Sequence, residues 1–228
     1  MLSTALASFV AVFAALFPIV NPLGDGPIFL NMVEGCSEKV RNKLAVSVSI
    51  NSFILLLASM IIGPQLLLFF GISLPALKLA GGAVVIAMGW HLLNQAAPTG
   101  HEIDQSTGIT DATAASSAFF PLTMPLTVGP GSIATAISLV AAFASEKGQP
   151  LEVVIPAIIG ALVGLIALSI SVYVIYRESS AIQRFFGNNG TIVLMRLFSF
   201  ILLTIGVQIF LGGINGFSVE LSKHLAAQ

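Results

Sequence analysis

The sequence predicts an all-α polytopic membrane protein: six transmembrane helices as two inverted three-helix repeats, with the first and fourth helices broken. Three observations lead there. The chain is too apolar and too poor in charge for a water-exposed surface. Its apolar stretches divide into six pieces of spanning length. The same proline-glycine fault interrupts the first and the fourth of them.

Of 228 residues, 56% are hydrophobic and 8% are charged, and the mean hydropathy is +0.99. Soluble domains carry about 25% charged residues, so the partner of this surface is a lipid bilayer. At about 20 apolar residues per span, the length holds six helices and short loops in one domain. A formal net charge of −1, with no basic or aromatic-basic patch, offers nothing to nucleic acid. Cys36 stands alone, which excludes an internal disulfide and a cysteine metal cluster. The apolar N-terminal run has no Lys or Arg before it and does not read as a cleaved signal peptide.

The spans are expected at roughly 3–33, 44–70, 72–95, 117–144, 153–176 and 192–214. The second should end near Gly63-Pro64, leaving Gln65 to Gly71 as a short helix in the interface. Gln95 to Ser117, with His101, Glu102, Asp104 and Asp111, reads as a flexible polar loop without chemistry. Residues 1–228 thus form a single transmembrane domain: repeat one about 1–95, a loop 96–116, repeat two about 117–214 and a C-terminal tail 215–228. Lys39, Arg41, Lys43, Arg177, Arg184 and Arg196 gather on one face, against Lys78, Lys147 and Lys223 on the other. Positive charge marks the cytoplasmic side, so both termini are expected outside a bacterial inner membrane.

The repeat rests on two elements found once in each half, in the same order. Pro22-Leu23-Gly24-Asp25-Gly26-Pro27 aligns with Pro125-Leu126-Thr127-Val128-Gly129-Pro130, and Phe69-Phe70-Gly71 with Phe185-Phe186-Gly187. Three spans per half is an odd number, so the halves face opposite ways across the membrane, a plan shared by many secondary transporters.

Physical chemistry gives the breaks a purpose. One helix over residues 3–33 would be about 46 Å long, against a hydrocarbon core of about 30 Å. The prolines remove amide donors, and the glycines between them are expected to supply unusual dihedrals. Backbone groups freed in lipid cost several kcal/mol each, so the breaks must be buried in protein or line a wet cavity. Exposed amides of one half-helix favour an anion, and exposed carbonyls of the other a cation. Together they suit a zwitterion. A lone proline kink usually only shapes packing; two kinks with one pattern in corresponding spans favour a site.

The substrate contacts expected from this are Asn21, Gly24 and Gly26 at the first break, and Thr127, Gly129, Gly131 and Ser132 at the second. Thr123 lies one turn upstream; Asn51, Thr204 and Gln208 are candidates to face the same cavity. Asp25 has two readings. As an acid within a span it is a candidate for ion coupling, with a proton or Na+ as the coupled species. As a cap of a helix beginning near Pro27 it would face cytoplasmic water, and the nearby charged loop favours this reading. No further cofactor and no metal ligand set is expected, and a homo-oligomer is compatible with the sequence.

"NPLGDGPIFL", "FGISLPALKLAGGAVVIAMGWHLL", "FFPLTMPLTVGPGSIAT" and "RLFSFILLTIGVQIFLGGI" resemble the MarC family, named for a multiple-antibiotic-resistance locus and also grouped as neutral amino acid transporters. The resemblance runs through nearly the whole chain. It implies six spans, an outside N-terminus and transport of small neutral amino acids such as glycine and alanine. Drug or metabolite efflux is the alternative suggested by the family's name; its physical expectation is a wide apolar or aromatic pocket. A non-transporting assembly protein is a third class. The spans offer no nucleophile-base pair, carboxylate pair or phosphate-binding loop, so an enzyme is not expected.

Overall fold

The computed structural model describes residues 1–94, 108–144 and 150–226. These fold into helices α1 (Leu2–Val20), α2 (Pro22–Met32), α3 (Glu38–Phe70), α4 (Leu74–Asn94), the short α5 (Ala114–Ser117), α6 (Pro130–Ala144), α7 (Leu151–Arg177) and α8 (Ser179–Ala226). An irregular segment, Ala118–Thr127, separates α5 from α6. Among the described residues, five helices are long and apolar enough to cross a membrane. A sixth span results if Ala114–Thr127 and Pro130–Ala141, bent by 69° at the break between them, count as one. His101, Glu102 and Asp104 of the polar loop, and Lys147, lie outside the described residues.

Apolar residues face outward along the spans: Ile54, Ile61, Ile158 and Ile170 are each more than half exposed. Water would not tolerate such a surface, and lipid does. Inside, small residues let helix backbones approach. On α4, a Cβ at Gly82 would lie 2.6 Å from Phe210 N, and one at Gly89 2.6 Å from Leu203 N, both of α8. Gly206 and Gly213 on α8 return the arrangement against Ile86 and Leu79. Gly160 and Gly164 of α7 meet the backbone of α1 at Ala5 and Phe9 in the same way. The Ser49 hydroxyl donates 2.6 Å to Ser169 O and ties α3 to α7.

The two Phe-Phe-Gly elements share their ring geometry and a positive φ, although ψ differs, 23° at Gly71 and 175° at Gly187. Phe69–Phe70 and Phe185–Phe186 each meet edge to face with centroids 5.1 Å apart, and Gly71 and Gly187 take φ of 65° and 66°. Gly71 closes α3; Gly187 kinks α8.

Three expectations need correction. The second span does not stop at Gly63-Pro64, because α3 carries Pro64 within one helix to Phe70. Gly63 sits directly against the Ile137 side chain of α6, and this contact supports the helix at the proline. The first break is not made by glycine: Gly24 and Gly26 are helical, and the chain turns on Asn21 (φ 51°, ψ 47°). Asparagine tolerates the left-handed region better than other residues with a side chain. Finally, the end of the polar loop is docked. The Ile109 amide donates 3.0 Å to Met32 O, and Asp111 accepts 2.8 Å from the Ser37 amide.

Candidate functional site

The first break is a single-residue turn. Asn21 N–H returns to Phe17 O, while Asn21 O starts α2 by accepting from the Gly24 and Asp25 amides. The Asn21 carboxamide folds over Gly24 and occupies the space a Cβ there would need. It is 2% exposed, and neither its oxygen nor its nitrogen has a hydrogen-bond partner. A buried polar group left unpaired costs about 1–3 kcal/mol, so two on one side chain mark a place prepared for something else.

Asp25 follows in the first turn of α2, 5% exposed. This overturns the cap reading: Asn21 stands at the cap position, and Asp25 is shielded from water. Phe29, one turn further, stacks on Tyr176 of α7 with centroids 4.4 Å apart. The Asp25 carboxyl lies within electrostatic range of the same tyrosine. Gly26 is close to Ile175, its Cβ position 3.3 Å from Cγ2.

At the second break the chain leaves helical geometry at Phe120 (φ −123°, ψ 122°) and at Met124 (φ −119°, ψ 123°), before the cis peptides to Pro121 and Pro125. Pro-Leu-Thr occurs twice in succession, and both threonines act alike. Thr123 donates 2.7 Å to Ala118 O, and Thr127 donates 2.8 Å to Leu122 O, each five residues back. The hydroxyls thereby satisfy carbonyls in a stretch that cannot keep a helical ladder. Ser132 does the same for Gly129 O at 2.9 Å as α6 begins.

The breaks meet through two features. Thr127 Oγ1 and Tyr176 OH lie 2.9 Å apart, both almost wholly buried. Ile19, at the end of α1, shares a small cavity of about 10 Å³ with Thr127, Gly129, Gly131 and Ser132. That is room for about one water molecule. Beyond the Phe29–Tyr176 pair lies a polar vestibule of about 250 Å³, whose walls include Glu38, Arg41, Arg177, Glu178 and Arg184. Arg177 donates 2.9 Å to Tyr173 OH and pairs with Glu178 at 3.6 Å.

Asn21, Asp25, Gly24 and Gly26 are therefore gathered on one side, and Thr127, Gly129, Gly131 and Ser132 on the other. Thr123 is fully buried but faces its own backbone. Gly26 and Gly129 are not equivalent as the aligned strings imply, because Gly26 lies inside α2 whereas Gly129 precedes α6. Thr204 and Gln208 belong to the exposed face of α8, and Thr204 bonds Phe200 O at 2.9 Å. Asn51 is half-buried on α3 and lines neither of these cavities. Sequence reasoning missed Tyr176, a hydroxyl in the last turn of a span, and the tandem Pro-Leu-Thr that would have announced the second break's structure.

Outside the spans, the Cys36 thiol donates 3.2 Å to Ile109 O. Burial first, then the nearby Asp111 charge, push its pKa up, with Arg41 opposing.

The sequence profile described as MarC family integral membrane protein matches residues 6–218. A UPF0056 membrane protein of Pyrococcus abyssi is 31% identical over 211 residues, covering 92% of this chain and 96% of its own. The UPF0056 inner membrane protein MarC of Citrobacter koseri is 31% identical over 204 residues (87% and 90%). Its namesake in Escherichia coli is 32% identical over the same length and shares. No solved structure gives a significant match. This chain belongs to the MarC family of integral membrane proteins.

Proposed function

We propose that the protein is a secondary transporter of small neutral amino acids, of glycine or alanine size, working by alternating access at the two breaks. The observation that carries this reading is the junction itself. An unpaired buried carboxamide, a buried carboxyl and a buried Thr–Tyr pair converge where two interrupted apolar segments meet. Buried polar and ionisable groups in a membrane interior are costly and mark substrate or ion paths. The cavity at the second break is smaller than any amino acid, so binding requires the breaks to separate. A moving junction of that kind is what alternating access demands. Only a small substrate suits a lining of Gly, Thr and Ser set among apolar side chains such as Ile19, Val85 and Leu202, and the vestibule gives it a polar approach.

The inverted repeat is part of the same proposal. Contacts of α1 with α7 answer those of α3 with α6, contacts of α2 with α8 answer those of α4 with α6, and α4 pairs with α8 across the centre. The matched Phe-Phe-Gly elements add local support. Both termini outside a bacterial inner membrane is the orientation that charge favours.

Export of larger apolar compounds is the second reading. It draws on an open groove of about 740 Å³ among α1, α3, α6 and α7, lined mostly by aliphatic residues such as Leu57, Ile61 and Leu165. Uptake of labelled glycine and alanine into proteoliposomes, under separate proton and sodium gradients, distinguishes the two. Accumulation blocked by unlabelled alanine and indifferent to bulky apolar compounds is expected. No accumulation of either amino acid, with efflux of an apolar dye instead, would reverse the choice.

A further inference from the structure

The bend at Asn21 leaves oxygen atoms without donors. Pro22 has no N–H to offer the Pro18 carbonyl. The amides of Asn21, Gly24 and Asp25 are spent on Phe17 O and Asn21 O. Among the described residues, the carbonyls of Pro18, Ile19 and Val20 therefore receive no backbone hydrogen bond across the bend. Within the same short stretch, Asn21 Oδ1 is buried and unpaired, and Asp25 is 95% shielded. The one ion pair among the described residues joins Arg177 to Glu178, so no Lys, Arg or His neutralises Asp25.

We propose that this bend is a binding site for one monovalent hard cation, sodium, with Asn21 Oδ1, an Asp25 carboxylate oxygen and carbonyls at the end of α1 as ligands. Every donor is oxygen, which suits a hard ion. One carboxylate balances one positive charge. No group of three acid, His or Cys side chains occurs among the described residues, so a divalent ion would leave net charge buried. The C-terminal end of α1 contributes the negative end of its dipole. Binding through Oδ1 leaves the Asn21 NH2 to meet a substrate carboxylate. The inference deepens the transport reading, on which the ion's coupling role rests, but the site itself is tested without transport.

The measurement is the thermal unfolding midpoint of the purified wild-type protein, free of amino acid, titrated with sodium chloride at ionic strength held constant with choline chloride. A ligand that binds only the folded state raises the midpoint with the logarithm of its concentration. The rise is expected with sodium, much less with potassium, and not at all in Asp25→Asn or Asn21→Gly. Glycine keeps the left-handed turn, so the second variant guards against misfolding as the cause. Equal response to sodium, potassium and choline, or a sodium response kept by both variants, would overturn the site. So would a midpoint that follows pH and ignores sodium, since a proton then meets the charge. A sodium response without any amino acid uptake would leave the cation site standing and remove only the transport reading.

Discussion

At the first break the chain turns on one residue, Asn21, and is helical again at Pro22; at the second it departs at Phe120, departs again at Met124, and resumes only at Pro130. The short break leaves a buried carboxamide without partners, beside a carboxyl that is 5% exposed. The long break leaves little open: Thr123, Thr127 and Ser132 each donate to a carbonyl of their own segment. Polar residues of similar type thus do different work. Hydroxyls near a long irregular stretch are consumed in replacing its lost ladder, whereas a one-residue turn frees its side chain for a ligand. In this reading the first break supplies the unspent binding groups, and the second chiefly holds shape and walls the small cavity.

The largest effect should come from bulk at the second break. A Cβ at Gly131 would collide with Val85 of α4, itself 1% exposed, while one at Gly129 makes only ordinary contacts, with Met88 at 3.5 Å and Pro125 O at 3.6 Å. Gly131→Val should cost about 1–3 kcal/mol or more through overpacking. Gly129→Ala should be tolerated. Thermal melts in detergent separate the two, and similar losses at both positions would undo the distinction.

Next in size is Gly24→Ala. The added methyl takes the space of the Asn21 carboxamide, so substrate exchange should fall sharply while the melting midpoint moves little. A lowered melting midpoint with wild-type exchange would mean the carboxamide is packing alone.

The link between the breaks is smaller. Tyr176→Phe removes one hydrogen bond to Thr127, at about 0.5–1.5 kcal/mol. Thr127→Val also strips the donor from Leu122 O and should cost more. A double-mutant cycle should return a coupling of about 1 kcal/mol, and a coupling near zero would disconnect the breaks.

The smallest effect lies outside the spans. With its pKa raised, Cys36 should alkylate slowly at neutral pH and faster as pH rises and thiolate accumulates. Asp111→Asn removes one cause of that shift and loosens the contact with Ser37, so labelling should quicken. An unchanged rate would show that Asp111 does not hold the loop.

Much of this was legible in the residues, and the failures have physical causes. Span positions follow from composition and length. The location of both breaks follows from proline, which no neighbour can give an N–H. The turn residue does not follow, because Asn-Pro-Leu-Gly offers both asparagine and glycine for positive φ, and packing chose Asn21. Nothing beside Tyr176 in the sequence marks it as buried; its burial comes from Phe29, a partner distant in sequence. Thr204 and Gln208 share a face, yet Gly206 and Gly213 turn the opposite face of α8 to α4. A hydroxyl that bonds its own helix can sit in lipid, as Thr204 does.

Equilibrium exchange of labelled alanine in proteoliposomes, comparing wild type with Asn21→Gly and Ser132→Ala, tests the division of labour most directly. Asn21→Gly keeps the left-handed turn and removes only the unpaired carboxamide; Ser132→Ala removes a hydroxyl already bonded to Gly129 O. The account predicts wild-type exchange, near wild-type exchange in Ser132→Ala, and exchange at background in Asn21→Gly with the protein still folded in the membrane. Full exchange by Asn21→Gly, with loss in Ser132→Ala, would contradict it and move the binding site to the second break.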